Sequence, residues 1–441
     1  MIASLEKKDL LCENVSVNEK GHLCFAGQDV TALADKYGTP LYLMDEDRIR
    51  ERCRTYKAAL CEAFGEKAAA AYASKAASFK EMYRIMKDEK MFIDVVSCGE
   101  ICTAAHAGFP LEMALFHSNN KTDEDVAYAM ENGVGYFVVD NEEELFAIDR
   151  EASKRGICQK ILLRLTPGID PHTFAAVSTG RVDSKFGSAI ETGQAKEITA
   201  LALSFSSIEL SGYHCHIGSQ VFDAEVYLRA ADVMLTFIAK MRDSLGYTAD
   251  VLDLGGGFGV RYLPSDPEVD IRRNILSIGD FVKKVCLELA LPVPTVILEP
   301  GRSIVADAGM TLYTAGTVKK IPEFVNYVSV DGGMTDNVRY AMYKSPYTLY
   351  AANKMNETAD MTANIVGRCC ESGDIIQERI GVPSSVKRGD IIACLTTGAY
   401  NYSMASNYNR IPRPPVVMLR GGESRVAVRR ETFEDVCALD E

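Results

Sequence analysis

Hydrophobic and polar positions along this chain follow two rhythms. Through roughly the first two-thirds, short apolar or β-branched runs alternate with longer stretches of helical period. The runs at Ala69–Ser74, Phe92–Ser97, Met113–His117, Tyr136–Asp140, Ile161–Thr166, Ile208–Cys215, Val251–Leu254 and Thr295–Glu299 read as strands, and Asp123–Glu131 and Ala224–Leu245 as helices. Such alternation implies right-handed parallel strand–helix–strand units. Eight strands of this kind predict an α/β fold built on a (β/α)8 TIM barrel. An open doubly wound sheet fits less well, because no early strand runs into a glycine-rich dinucleotide loop.

Past about residue 305 the rhythm changes. Thr311–Val318, Phe324–Val330, Asn364–Cys369, Ile391–Thr396 and Val416–Leu419 are separated by turn-rich sequence, which predicts a mostly antiparallel β domain. Near the start, His22–Ala26 and Gly38–Leu43 are strand-like and are expected to join that domain. The division expected is an N-terminal segment at 1–45, a barrel at 46–305 and a C-terminal β domain at 306–441.

Composition narrows the function classes. The chain has 441 residues, 47% hydrophobic and 25% charged, which suits about two globular domains. A net charge of -13 argues against a nucleic-acid partner, whose phosphates would be repelled. No apolar run reaches the roughly 18–20 residues of a membrane span, and the first residues carry no secretory or transit pattern. Thirteen cysteines in such a chain point to reduced thiols and a cytoplasmic protein. Cys98 and Cys102 are four apart and Cys369 and Cys370 adjacent, so no zinc-type pairing shows and no metal is expected.

Polar residues collect where the strands should end, the working face of a barrel. Lys75, His117, Asn119, Asp140, His216, Gly255–Gly257 and Glu299 all fall there. A lysine leaving so apolar a strand is suited to imine formation, though it also suits a simple exit into solvent. The glycines could cradle a phosphate or merely permit a tight turn. Glu299-Pro-Gly-Arg302 could pair a cationic ring nitrogen and an anion, or form a structural ion pair. His214 and His216 offer an imidazole for stacking, and Ser219 a hydroxyl for phosphate; a metal pair is discounted because no third ligand is evident. Cys370-Glu371 could be a proton donor beside an ammonium-binding carboxylate, or a buried thiol.

In order, the chain carries Tyr72-Ala-Ser-Lys75-Ala, Asp94-Val-Val-Ser-Cys-Gly-Glu100, Ser184-Lys-Phe-Gly187, His214-Cys-His-Ile-Gly-Ser-Gln220, Gly255–Gly259, Glu299-Pro-Gly-Arg302, Cys370-Glu-Ser-Gly-Asp374 and Gly398-Ala-Tyr400. This ordered set resembles the fold type III, alanine-racemase-like pyridoxal-phosphate decarboxylases, and among them the diaminopimelate decarboxylase family. The likeness spans roughly residues 30 to 415.

The resemblance implies decarboxylation of meso-2,6-diaminopimelate to L-lysine and CO2 with pyridoxal 5'-phosphate. Lys75 would carry the cofactor as an imine and His216 would stack on its ring. Ser219, Gly255, Gly256, Gly257 and the backbone of Gly301 and Arg302 would hold its phosphate. Glu299 would pair with the ring nitrogen, and Tyr400 would approach both cofactor and substrate. Arg302, Arg339 and Tyr343 would grip the distal carboxylate, Glu371 the distal ammonium, and Cys370 would be the general acid. In the family, the last two residues come from a partner subunit, which implies a homodimer with shared sites. Departures from the family pattern are Ala77 in place of asparagine, Ser118 in place of glycine, and Tyr340 in place of proline; they bear on substrate breadth. The alternative is a related decarboxylase of ornithine, lysine or arginine.

Overall fold

The computed structural model describes residues 10–169 and 184–441; residues 1–9 of the expected N-terminal segment and 170–183 of the expected barrel lie outside the described residues. The chain divides into two compact units. One comprises Glu51–Gly259 and Glu268–Ser303; the other comprises the N-terminal residues through Arg50, Val260–Pro267 and Ile304–Glu441.

The first unit is a closed barrel of eight parallel strands: β1 Ala68–Ala73, β2 Phe92–Val95, β3 Ala114–Phe116, β4 Tyr136–Val139, β5 Gln159–Thr166, β6 Ile208–His214, β7 Val251–Asp253 and β8 Thr295–Leu298. Each strand pairs with the next in sequence, β8 returns to β1, and β4–β5 pairing leaves no open edge. All eight coincide with the predicted runs, because a strand covered on both faces reads as a continuous apolar stretch. Ala71, Leu115, Val138, Leu162, Val251 and Ile297 pack into one buried cluster, so side chains from six strands fill the interior.

The intervening helices start and stop where their caps dictate. Thr122 and Asp125 form a reciprocal capping box at the start of Asp123–Glu131. Asn141 caps Glu142–Arg155, whose first turn holds three glutamates and whose last holds Lys154 and Arg155, and Gly156 ends it at φ +66°. The helix Glu225–Leu245 turns Val226, Ala230, Met234, Leu235, Ile238 and Met241 inward; each large side chain buried in this way contributes about 1.5–3 kcal/mol.

The second unit holds a small antiparallel sheet of Val15–Val17, Leu23–Phe25 and Gln28–Asp29, which takes the strand expected at His22–Ala26, and a larger, mostly antiparallel sheet. Its strands are Leu41–Asp45, β9 Gly309–Lys320, β10 Asn326–Val330, β11 Leu349–Ala351, β12 Met361–Val366, β13 Ile375–Val382, β14 Ile391–Leu395, β15 Val416–Arg420 and β16 Glu423–Val428. Central β9 pairs antiparallel with β10, β14 and Leu41–Asp45. Two pairings are parallel, β10 with β12 and Leu41–Asp45 with β15. The N-terminal strand is thus stitched between two C-terminal ones.

Strands β11, β13 and β16 were not anticipated. β13 and β16 lie at the ends of the sheet order, where a strand needs no fully apolar face and carries charges instead. Phe324 is 86% exposed and precedes β10, and Cys369 falls beyond β12, so both predicted runs were drawn too long. Among the described residues, no helix is long and apolar enough to cross a membrane.

Candidate active site

In the barrel unit, the polar groups follow the strand ends. β1 runs into a 3-10 turn, Ser74–Ala76, that presents Lys75. Its side chain is 46% exposed, and its Nζ donates to Asp94 Oδ2 of β2 at 2.8 Å. Asp94 is fully buried, and its second oxygen, Oδ1, has no hydrogen-bond partner among the described residues. Behind it, Glu100 accepts the Val96 N–H at 2.6 Å. Burial, with Asp94 adding, pushes the Glu100 carboxyl up to about 7.

Glu299 follows β8 and is buried. His117 Nε2 lies 2.6 Å from its Oε1, and His214 Nε2 lies 3.2 Å from its Oε2. The two imidazoles meet edge to face at 4.9 Å. Burial raises the pKa of Glu299, but the two imidazoles outweigh it and hold the carboxyl well below its usual range. Burial lowers His214 to about 4 against the pull of Glu299, so His214 is neutral at physiological pH. Asp253, at the end of β7, goes the other way: burial and the Glu299 charge raise it well above its ordinary value. The two neighbouring carboxyls are thus pushed in opposite directions.

Sequence spacing had suggested no third partner for a histidine metal pair. That pair was His214 with His216; among the described residues the fold instead gathers His117, His214 and Glu299, with donor atoms within 4.8 Å of one another, and leaves His216 out of the group. His214 is hydrogen-bonded to Glu299 and His117 stands in ion-pair contact with it, so contacts within the protein account for the group. His216 stands apart from it, partly buried, and burial followed by the nearby Lys75 charge holds it well below its ordinary pKa.

The glycine loop after β7 packs against this network. A Cβ on Gly256 would lie 2.0 Å from the Glu299 carbonyl oxygen, and one on Gly257, at φ +116°, 2.2 Å from the Gly218 carbonyl oxygen. Only glycine fits there, which exposes successive backbone groups at close range. Arg302 Nη2 donates to Ser219 Oγ at 2.9 Å. A lysine, a buried anionic carboxylate, a neutral imidazole and a glycine loop beside a hydroxyl and a guanidinium are the groups that pyridoxal phosphate requires. The residues present fit that cofactor.

The β unit holds the remaining candidates. Arg339 opens a short helix, Arg339–Tyr343, and is buried. Its Nη1 donates to the hydroxyls of Tyr262 at 3.1 Å and Tyr347 at 3.0 Å, and its Nη2 donates to Ser345 Oγ at 3.3 Å. The rings of Tyr262, Tyr347 and Tyr400 lie 5.3, 5.9 and 5.9 Å from the guanidinium carbon. Tyr400 adopts φ +64°, a conformation costly for a non-glycine residue and concentrated at functional sites. Tyr343 is 37% exposed. Tyr340 donates to Glu378 Oε2 at 2.5 Å, so β13 takes up its hydroxyl. Ala77 is buried, and its carbonyl accepts the Tyr72 hydroxyl at 3.0 Å.

Cys370 and Glu371 are exposed on a turn organised by buried Asp374, which accepts the N–H groups of Met334 and Cys369 at 2.6 and 2.7 Å. Lys75, His216, Ser219, Gly255–Gly257, Glu299, Gly301 and Arg302 thus belong to the barrel unit. Arg339, Tyr343, Cys370, Glu371 and Tyr400 belong to the β unit.

Asp94, Glu100 and Asp253 were given no role from sequence; His117 was marked only as a strand-end polar group and His214 only as a candidate stacking imidazole. Asp94 and Asp253 also lay in predicted strands near their ends, so the rule that found His117 and Glu299 could have found them. Tyr262 and Tyr347 carried no signal, being 77 and 8 positions from Arg339.

Residues 46–306 match the model of the pyridoxal-binding domain of pyridoxal-dependent decarboxylases. The diaminopimelate decarboxylase of Bacillus subtilis (strain 168) is 45% identical over 423 residues, 96% of either chain. That of Bacillus methanolicus is 46% identical over 423 residues, 96% of this chain and 98% of its own. The crystal structure of diaminopimelate decarboxylase from M. jannaschii with L-lysine bound matches at a TM-score of 0.89 and 31% identity, covering 98% of both chains. The chain belongs to the pyridoxal-dependent decarboxylases, and within them to the diaminopimelate decarboxylase family.

Proposed function

We propose that this protein decarboxylates meso-2,6-diaminopimelate to L-lysine and CO2 with pyridoxal 5'-phosphate, the last step of lysine biosynthesis. One observation carries the substrate: the buried Arg339 guanidinium has only neutral hydroxyls and rings as partners among the described residues. A buried cation in such company is unfavourable until an anion joins it. Diaminopimelate brings a distal carboxylate, whereas ornithine and lysine do not.

Bound pyridoxal phosphate supplies the sink for the electron pair left behind when CO2 departs. The chain's residues do the rest. Lys75 anchors the cofactor, and His216, neutral and partly buried, stacks on it. Ser219, Gly255–Gly257, Gly301 and Arg302 bind its phosphate. Glu299, kept anionic by His117 and His214, holds a proton at the ring nitrogen. Arg302, Arg339 and Tyr343 bind the distal carboxylate, Glu371 binds the distal ammonium, and Tyr400 borders substrate and cofactor. Cys370 returns a proton to Cα.

Cys370 and Glu371 are exposed in the single chain, yet a proton donor needs a covered, water-poor site. A homodimer in which each subunit lends these two residues to the other would supply the cover. A cytoplasmic location accords with thirteen free cysteines.

The test is CO2 release and lysine formation by purified protein with added pyridoxal phosphate. The substrates are meso-diaminopimelate, LL-diaminopimelate, ornithine, arginine and lysine. Activity confined to the meso isomer is expected; faster turnover of a substrate lacking the distal carboxylate would overturn the assignment.

A further inference from the structure

We infer that Tyr262 and Tyr347 are specificity-determining positioning residues, a phenolic clamp that fixes the Arg339 guanidinium while leaving its charge for the substrate's distal carboxylate. The inference rests on the reading of Arg339 given above.

The geometry is that of a fixed fork. Nη1 has two hydrogens, and the two phenolic oxygens take them at 3.1 and 3.0 Å. Ser345 takes one from Nη2 at 3.3 Å. The Nε–H and the second Nη2–H have no partner among the described residues, and a guanidinium grips a carboxylate with such donors.

The clamp is itself braced. Tyr262 and Tyr347 meet edge to face at 5.4 Å and 86°, and they are 4% and 1% exposed. Tyr347 donates its hydroxyl to Asn401 Oδ1 at 3.3 Å, and its backbone N–H donates to Gln377 Oε1 at 2.9 Å. The Tyr262 carbonyl accepts Thr348 Oγ1 at 2.8 Å.

Phenols are the right chemistry for this task. Burial keeps the Tyr347 hydroxyl above its ordinary pKa despite the neighbouring cation, so it accepts a hydrogen bond without neutralising the charge. A carboxylate at either position would complete an ion pair within the protein and remove the demand for an anionic ligand. The ring faces add cation–π stabilisation that also leaves the net charge intact. Holding the guanidinium in place beforehand removes the entropy cost of ordering a long side chain on binding.

The experiment uses the holoenzyme and the variants Tyr262→Phe, Tyr347→Phe and Arg339→Met. Phenylalanine keeps the ring and its packing and deletes only the acceptor. For each protein, kcat and KM for meso-diaminopimelate are measured, with the inhibition constant of cadaverine, a diamine without the distal carboxylate, and the thermal midpoint. Each Phe variant is expected to raise KM for meso-diaminopimelate roughly 5- to 15-fold, the scale of one lost hydrogen bond. Its kcat should stay within about two-fold, and cadaverine inhibition and thermal midpoint should be unchanged.

Phe variants with unchanged KM overturn the clamp; if Arg339→Met still raises KM, the substrate reading survives. An Arg339→Met variant with unchanged KM removes both. Parallel loss of cadaverine affinity or of the thermal midpoint in the Phe variants marks a structural role and also overturns the clamp.

Discussion

Glu299 in the barrel unit and Arg339 in the β unit are both buried and both charged, and their surroundings treat the charge in opposite ways. Glu299 has an imidazole on each oxygen, at 2.6 and 3.2 Å, and a neighbour in Asp253 whose carboxyl is pushed well above its ordinary range. Arg339 has phenols, a serine hydroxyl and aromatic faces. The first arrangement stabilises an anion in the absence of any ligand, as a permanent partner for a ring cation must be. The second orients a cation and leaves it electrostatically incomplete, as a receptor for a passing carboxylate must be. A protein can therefore encode "resident" and "transient" in the choice between ionisable and neutral neighbours.

The comparison can be broken most severely at the barrel site. Replacing Lys75 by alanine should lower turnover by at least about 10⁴-fold, the scale of removing a covalent group. It should also erase the absorbance band of lysine-bound cofactor. A variant that keeps both would show that the barrel site is not the cofactor site.

Next in size is Glu299→Gln, which leaves the two imidazoles facing a neutral amide. Loss of a preorganised charge should lower kcat by roughly 10²–10³-fold, with KM for meso-diaminopimelate little changed. Equal changes in both parameters would mean that Glu299 serves binding, like Arg339.

The smallest effect sharpens the β-unit side. Asp336 is buried with neutral partners, the Tyr313 hydroxyl at 2.6 Å and the Gly333 N–H at 2.9 Å. Burial, with Asp374 and Asp331 adding, raises it from 3.8 to about 7. In this window the folded chain binds more protons at Asp336 than the unfolded chain does. Its contribution to stability therefore declines as pH rises from about 4 to about 7. Between pH 5 and 7.5, Asp336→Asn should flatten the fall in urea-unfolding stability by about 1–3 kcal/mol. Parallel curves for the two proteins would mean that Asp336 is already ionised at pH 5.

Much of this was legible in the sequence. All eight barrel strands were, because parallel strands buried on both faces are apolar throughout. The resemblance motifs also marked Lys75, His216, Ser219, Glu299 and Arg302, which the barrel brings into one unit. Edge strands β13 and β16 were not legible, since their exposed, charged sequences lack the alternation that marks a half-buried strand.

Some of the site chemistry could come only from tertiary structure. Sequence alone placed a lysine, a glycine loop and a Glu-Pro-Gly-Arg turn at strand ends, because the period of the pattern determines where a strand stops. It could not show that His117 and His214 converge on Glu299, or that burial and the Glu299 charge push the Asp253 carboxyl the opposite way. Nor could it show that Tyr262, 77 positions away, takes a hydrogen of Arg339. These outcomes depend on burial and on distances of a few ångströms between groups far apart in the chain, which only folding creates.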